Sequence, residues 1–171
     1  MKTRAIRYVR GDAAQAQGEG STIIAHVCND IGRWGKGFVL ALSKRSPEPE
    51  QAFHRWFVGR HGNDFGLGAA QFVEIKPQVW VANMIGQHKV KLKGDPGPPP
   101  VRYEAIGQAL AKVAAKAAEV QASVEVQASV HMPRIGCGLA GRAGRQWQLI
   151  EPLIIEHLSQ HGIEVFVYAV D

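Results

Sequence analysis

Apolar positions recur along this chain in two rhythms, one suited to strands and one to helices. Thr22-Ile23-Ile24-Ala25-His26-Val27-Cys28 is a nearly unbroken apolar run between turn residues, the mark of a strand buried on both faces. Ala5 to Arg10 has the pattern of a half-buried strand, and Gly11-Asp12 closes it. Ala70 to Ile75 and Val79 to Ile85 flank the turn Lys76-Pro77-Gln78 and predict a hairpin. Ser129-Val130-His131-Met132 and Ile163 to Val170 predict two further strands. Helical spacing marks Phe38 to Lys44, then Glu48 to His61, where Ala52, Phe53, Trp56 and Phe57 form a core stripe. It also marks Arg102 to about Val120, where Tyr103, Ile106, Leu110, Val113, Ala114 and Ala117 share one face. A last helix is predicted from near Gln148, because proline is tolerated in a first turn and Pro152 must be placed there; Gly162 ends it. Gly86 to Pro100 follows neither rhythm and ends in Gly94-Asp95-Pro96-Gly97-Pro98-Pro99-Pro100, a long irregular loop with a stiff end. Val-Gln-Ala-Ser-Val occurs at 120–124 and again at 126–130, too short a unit for a repeat architecture.

The element order is β, β, α, α, β, β, α, β, α, β. Such alternation predicts an α/β protein in three α/β/α layers around a central mixed sheet of about six strands. The hairpin and the first strand are expected to make the sheet mixed. A chain of 171 residues suits one domain, taken as 1–171.

Composition changes this picture little. The chain is 46% hydrophobic and 20% charged, an ordinary globular balance. No run of about 18 apolar residues points to a membrane span, and Met1-Lys2-Thr3-Arg4 leads into a strand, so a cytoplasmic protein is expected. The net charge of +5 favours anionic partners. The basic residues are spread along the chain, and no helix-turn-helix, zinc-finger or RNP pattern occurs, which argues against nucleic acid. Cys28 and Cys137 read as buried free thiols, and no paired spacing of cysteine or histidine suggests a metal site. A monomer without cofactor is expected.

The candidate chemistry lies in two glycine loops. Met132-Pro133-Arg134-Ile135-Gly136-Cys137-Gly138-Leu139-Ala140-Gly141 leads from a strand toward a helix. Asn29-Asp30-Ile31-Gly32-Arg33-Trp34-Gly35-Lys36-Gly37 does the same after the second strand. The first is neither G-x-G-x-x-G nor a Walker A loop. Glycines there let backbone N–H groups approach an oxyanion at the positive end of a helix dipole. In an open α/β sheet, ligands sit outside the carboxyl ends of the strands, so two facing loops of this kind suit a diphosphate.

Gly11-Asp12, His26-Val27-Cys28-Asn29, Gly35-Lys36-Gly37 and Met132-Pro133-Arg134-Ile135-Gly136-Cys137-Gly138-Leu139 resemble the macrodomain family over about Arg4 to Val170. The branch is the one that includes terminal ADP-ribose protein glycohydrolases and ADP-ribose-1''-phosphate phosphatases. The resemblance implies an ADP-ribose ligand, free or on a modified protein. It implies that Gly11 and Asp12 meet the adenine, with Tyr168 as a flanking ring. Asn29, Gly35, Lys36 and Gly37 would meet the distal ribose and phosphate. Gly136, Cys137, Gly138, Leu139 and Ala140 would present amides to the diphosphate. Read from the residues alone, Asp12 is equally a cap, Asn29 an Asx turn, Lys36 a solvated charge, and Trp34 and Tyr168 packing.

The family pattern breaks at two positions. The glycohydrolase lysine aligns with Gln87, whose carboxamide is no nucleophile, and its aspartate aligns with Ala140. The covalent lysine route is therefore closed. The expected function is release of ADP-ribose from ester-linked Glu or Asp by a non-lysine mechanism, with Asn29, Asp30 and Gln87 as the polar groups at the reacting end. Asn29 would orient a water, and Asp30 or Asp95 would serve as base. The alternatives are a non-catalytic ADP-ribose-binding module and an ADP-ribose-1''-phosphate phosphatase.

Overall fold

The computed structural model describes residues 3–90, 100–137 and 143–169. Six strands form one sheet: β1 (Arg7–Arg10), β2 (Ser21–Asn29), β3 (Ala70–Lys76), β4 (Val79–Gln87), β5 (Ala128–Pro133) and β6 (Glu164–Ala169). Their spatial order is β1-β6-β5-β2-β4-β3. Four helices accompany them: α1 (Phe38–Arg45), α2 (Glu48–Val58), α3 (Tyr103–Val124) and α4 (Ala143–His157). The result is the mixed-sheet α/β/α sandwich expected from the pattern.

Alternation along the central strands sends successive side chains to opposite layers. Ile23 and Ala25 of β2, Val130 and Met132 of β5 and Val165 and Val167 of β6 pack with Ile106, Leu110 and Val113 of α3 and Ile150 and Ile154 of α4. Ile24 of β2 faces the other way, toward Leu42 of α1 and Val81 of β4. Cys28 packs there too, against Phe53 and Trp56 of α2. Because β2 is covered on both sides, it is apolar almost throughout, and this is why its position was plain in the sequence.

Several boundaries and one strand direction differ from expectation. β1 runs parallel to β6, pairing Arg7 with Phe166 and Arg10 with Ala169, so it does not make the sheet mixed. Only the β3–β4 hairpin is antiparallel among the named strand pairs. α4 starts at Ala143, five residues before Gln148, and holds Pro152 in its interior. The pyrrolidine is exposed, so the missing N–H leaves one helical carbonyl to solvent without a buried orphan. α2 stops at Val58, and Gly59 hands over to a separate 3₁₀ turn, Arg60–Gly62. α3 runs on to Val124, so the first Val-Gln-Ala-Ser-Val copy is helical, and Glu125 ends it in the left-handed region at φ 55°. The second copy enters β5. The loop expected from Gly86 begins later: β4 extends through Gln87, and Arg102 N donates to Gly86 O at 2.8 Å.

Candidate functional site

All five parallel strands end on one edge of the sheet. The chain leaves β2 for α1 and α2 on one face and leaves β5 for α4 on the other. β2 and β5 are neighbours, so a crevice opens between their loops, at the switch point where such sheets bind ligands. Gly11-Asp12, Asn29 to Gly37, Gln87-His88, Gly136-Cys137 and Tyr168 all lie along this crest. Gly138, Leu139 and Ala140 fall outside the described residues, as do Lys91, Lys93 and Asp95.

Asn29 builds the loop after β2. Its Oδ1 accepts from Ile31 N at 3.1 Å and Arg33 N at 3.0 Å, and its Nδ2 donates to Arg33 O at 2.7 Å. The side chain is thus an Asx turn that curls the backbone over the strand end, with one amide hydrogen left over. Gly32 completes the curl at φ +73°, where an added Cβ would lie 2.4 Å from the Phe57 ring. Trp34 anchors the far side: its Nε1 donates to Ser43 Oγ at 2.8 Å, and its ring meets His26 edge-on at 5.3 Å. Trp34 therefore packs beneath the loop. Gly35, Lys36 and Gly37 are exposed, and a Cβ on either glycine would meet nothing within 4 Å. Gly37 has φ +80° and leads into α1.

The loop after β5 turns at Gly136, φ +73°, where a Cβ would lie 2.6 Å from Ile150 Cδ1. Cys137 N donates to Arg134 O at 3.3 Å, which commits that amide to the turn. Cys137 is buried, and burial pushes its thiol pKa up while Arg134 opposes the shift. At the other end of the crest, Asp12 Oδ1 accepts from Ala14 N at 2.9 Å and caps a short 3₁₀ turn. Gly11, φ +138°, lies beside the Tyr168 ring. The Tyr168 hydroxyl is 2.7 Å from His131 Nδ1, and burial raises its pKa.

Two buried histidines underlie the crest. Asn83 Nδ2 donates to Pro49 O at 3.2 Å and Gln71 Oε1 at 3.0 Å, so its Oδ1 is the atom that accepts from His26 Nε2–H at 2.5 Å. Desolvation lowers the His26 pKa from 6.5 to about 4, against a smaller opposing effect of the Asn83 bond. His131 lies between Tyr168 and Ser129 Oγ, also at 2.7 Å, and stacks on Phe166 at 4.7 Å. Burial brings its pKa from 6.5 to about 4. Cys28 Sγ is 3.7 Å from His26 Nε2, yet the thiol is driven up by burial and the imidazole is neutral, so the pair has no nucleophilic character.

The sequence named Asn29, Asp30 and Gln87 but not the histidine that stands with them at the β2–β4 end. The register slips between Cys28 and Asn29, so that Asn29 is opposite Gln87. Asp30 Oδ2 then accepts from His88 Nδ1–H at 2.7 Å, and its Oδ1 accepts from Lys89 N at 2.7 Å. Gln87 Nε2 donates to Lys89 O at 2.9 Å. His88 went unnoticed in the sequence because no spacing rule links it to a residue 58 positions away. Among the described residues, no three His, Cys, Asp or Glu side chains converge as a metal site requires, and no helix is long and apolar enough to cross a membrane.

Fold and crest together define an α/β protein with a crevice at the switch point of its sheet. No family model matches the chain. Its sequence is 55% identical to the macrodomain protein from Streptomyces coelicolor, over 96% of this chain and 99% of that one, with a TM-score of 0.80. The chain belongs to the macrodomain family. It is also 31% identical over 177 residues to the chromodomain-helicase-DNA-binding protein 1-like of Mus musculus, covering 98% of this chain but only 18% of that protein. The structure of Thermosipho africanus DarTG in complex with ADP-ribose shares the fold, at 18% identity over 87% of this chain and 38% of that one, with a TM-score of 0.63.

Proposed function

We propose that this macrodomain binds ADP-ribose along the crest and releases it from ester-linked glutamate or aspartate side chains without a lysine nucleophile. The observation that carries the reading is the pair of glycine loops on either side of the β2–β5 crevice, with open space above Gly35 and Gly37. Open backbone beside a crevice suits a diphosphate, whose oxygens need N–H donors and no side chains. Asp12 keeps its Oδ2 for the adenine amino group, and Tyr168 flanks the same end. Asn29, Asp30 and Gln87 meet at the opposite end, which suits the distal ribose. Gly136 and Cys137 stand on the diphosphate side of the crevice, with the Cys137 amide already engaged, and the family resemblance assigns Gly138, Leu139 and Ala140 the role of presenting amides to the same group. The net charge of +5 complements the ligand. An ester at the distal ribose is a labile linkage, so positioning of water supplies much of what its hydrolysis needs.

The test pairs two measurements on the parent and on Asn29→Asp. That variant keeps the two acceptor bonds but sets a carboxylate against Arg33 O, where the amide now donates. Calorimetry should give ADP-ribose binding by the parent and at least a tenfold loss in the variant. Incubation with an ester-modified protein should release free ADP-ribose from the parent only. Binding without release over hours makes the protein a binding module; release of phosphate from ADP-ribose-1''-phosphate makes it a phosphatase.

A further inference from the structure

Asp30 directly follows Asn29 and His88 directly follows Gln87, so the register that opposes Asn29 and Gln87 also brings these two side chains together. Each oxygen of Asp30 already has a donor: Nδ1–H of His88 on Oδ2 and the Lys89 amide on Oδ1. The Asp30 main chain is held as well, its N–H donating to Gln87 O at 3.0 Å. Its side chain is 17% exposed, against 43% for His88. The carboxylate is therefore the inner, fixed member of the pair and the imidazole the outer one. His88 is itself anchored, with its N–H donating to Pro100 O at 2.8 Å.

This geometry fixes a tautomer. A carboxylate only accepts, so Nδ1 carries the proton and, in the neutral ring, Nε2 carries the lone pair. Nε2 has no hydrogen-bond partner among the described residues. A carboxylate that orients an imidazole and stabilises the imidazolium formed from it is the arrangement general-base catalysis uses.

We propose that His88 is the general base of the ester hydrolysis and that Asp30 is its positioning residue. The inference rests on the hydrolase reading above. Nε2 takes a proton from a water as the water oxygen bonds to the distal ribose C1''. The bond from C1'' to the acyl oxygen breaks, and its electron pair leaves with the glutamate or aspartate carboxylate. ADP-ribose departs with a hydroxyl at C1'', and the imidazolium sheds its proton to solvent. Asp30 stays ionised throughout, and the amine missing at Gln87 is not needed.

The experiment uses the full chain with an ester-linked ADP-ribosylated peptide, and reads both release of ADP-ribose and calorimetric affinity for ADP-ribose. His88→Asn retains a donor near the Nδ1 position for Asp30 while removing the base, so the tie between the two loops survives. Its turnover should fall roughly a hundred- to ten-thousandfold, with affinity unchanged. His88→Ala should lose turnover similarly and regain part of it as free imidazole is added. Asp30→Asn should lower kcat with KM unchanged, and imidazole should not restore it. Parental turnover in His88→Asn, or no recovery of His88→Ala with imidazole, overturns the proposal while leaving the hydrolase reading intact. A parent that releases no ADP-ribose overturns both.

Discussion

Mild acid should destabilise this protein through His26 and His131. Both rings are buried, and desolvation sets both pKa values at about 4, against the usual histidine value of 6.5. A histidine with a lowered folded-state pKa binds its proton more readily when the chain unfolds. Its neutral form contributes fully above the unfolded value, and that stability is lost as pH falls from about 6.5 toward about 4. For one such histidine, linkage gives a loss of about 2 kcal/mol between pH 7 and pH 5, hence about 4 kcal/mol for the pair. A chain of 171 residues shifts its Tm by about 2–4 °C per kcal/mol, so the drop should be about 8–16 °C. Thermal melts in low-salt buffers at pH 7, 6 and 5 measure it. His26→Gln separates the two contributions: the glutamine amide replaces the Nε2–H that Asn83 Oδ1 accepts, but it does not titrate. The variant's drop should be about half that of the parent. A parent whose Tm holds steady from pH 7 to pH 5, or a variant with the parent's full drop, refutes the reasoning. The effect reaches the crest as well, since His26 supports Trp34 and Phe38 and His131 holds the Tyr168 hydroxyl.

Two glycine substitutions should separate scaffold from ligand surface. Gly32→Ala combines a positive φ with a Cβ 2.4 Å from Phe57, and should lower the unfolding free energy by roughly 2–5 kcal/mol, read as a lower urea midpoint at unchanged slope. At Gly35 an added Cβ meets nothing within 4 Å, so the Tm of Gly35→Val should match the parent's while ADP-ribose affinity falls at least tenfold; parental affinity would take this loop out of the site.

The sequence disclosed features that depend on one strand or one helix face and concealed those that depend on pairing. β2 was plain because burial on both faces leaves an apolar signature in the strand itself. The start of α4 was misjudged because a proline rule outweighed the apolar pattern, whereas exposure of Pro152 let the helix run through it. Val-Gln-Ala-Ser-Val is helical at its first occurrence and enters a strand at its second, so five residues carry too little preference to resist their surroundings. The direction of β1 follows from its partner β6, which lies at the far end of the chain. The two glycine loops were legible because Gly32 and Gly136 combine a positive φ with a neighbour that a Cβ would strike, and that requirement is written in the residue type.

The same distinction explains why the reacting end of the crest looked depleted in the sequence. Position by position, Gln87 and Ala140 stand where the resembling glycohydrolases carry a lysine and an aspartate, and neither supplies the reactive group. The three-dimensional arrangement adds something back. Gln87 donates to Lys89 O, and Lys89 N donates to Asp30, so the carboxamide helps hold the carboxylate that orients His88. A lysine at 87 would be a cation beside that carboxylate and would compete with the imidazole for it. Glutamine, neutral and able to donate, leaves Asp30 to His88. The glutamine that closes the covalent route is thus compatible with proton transfer by a neighbouring imidazole, and placing lysine at 87 should weaken the Asp30–His88 contact. In a Gln87→Lys variant, the ¹⁵N shifts of the His88 ring should report a loss of the fixed tautomer. Unchanged ring shifts would mean that Gln87 and the imidazole are independent.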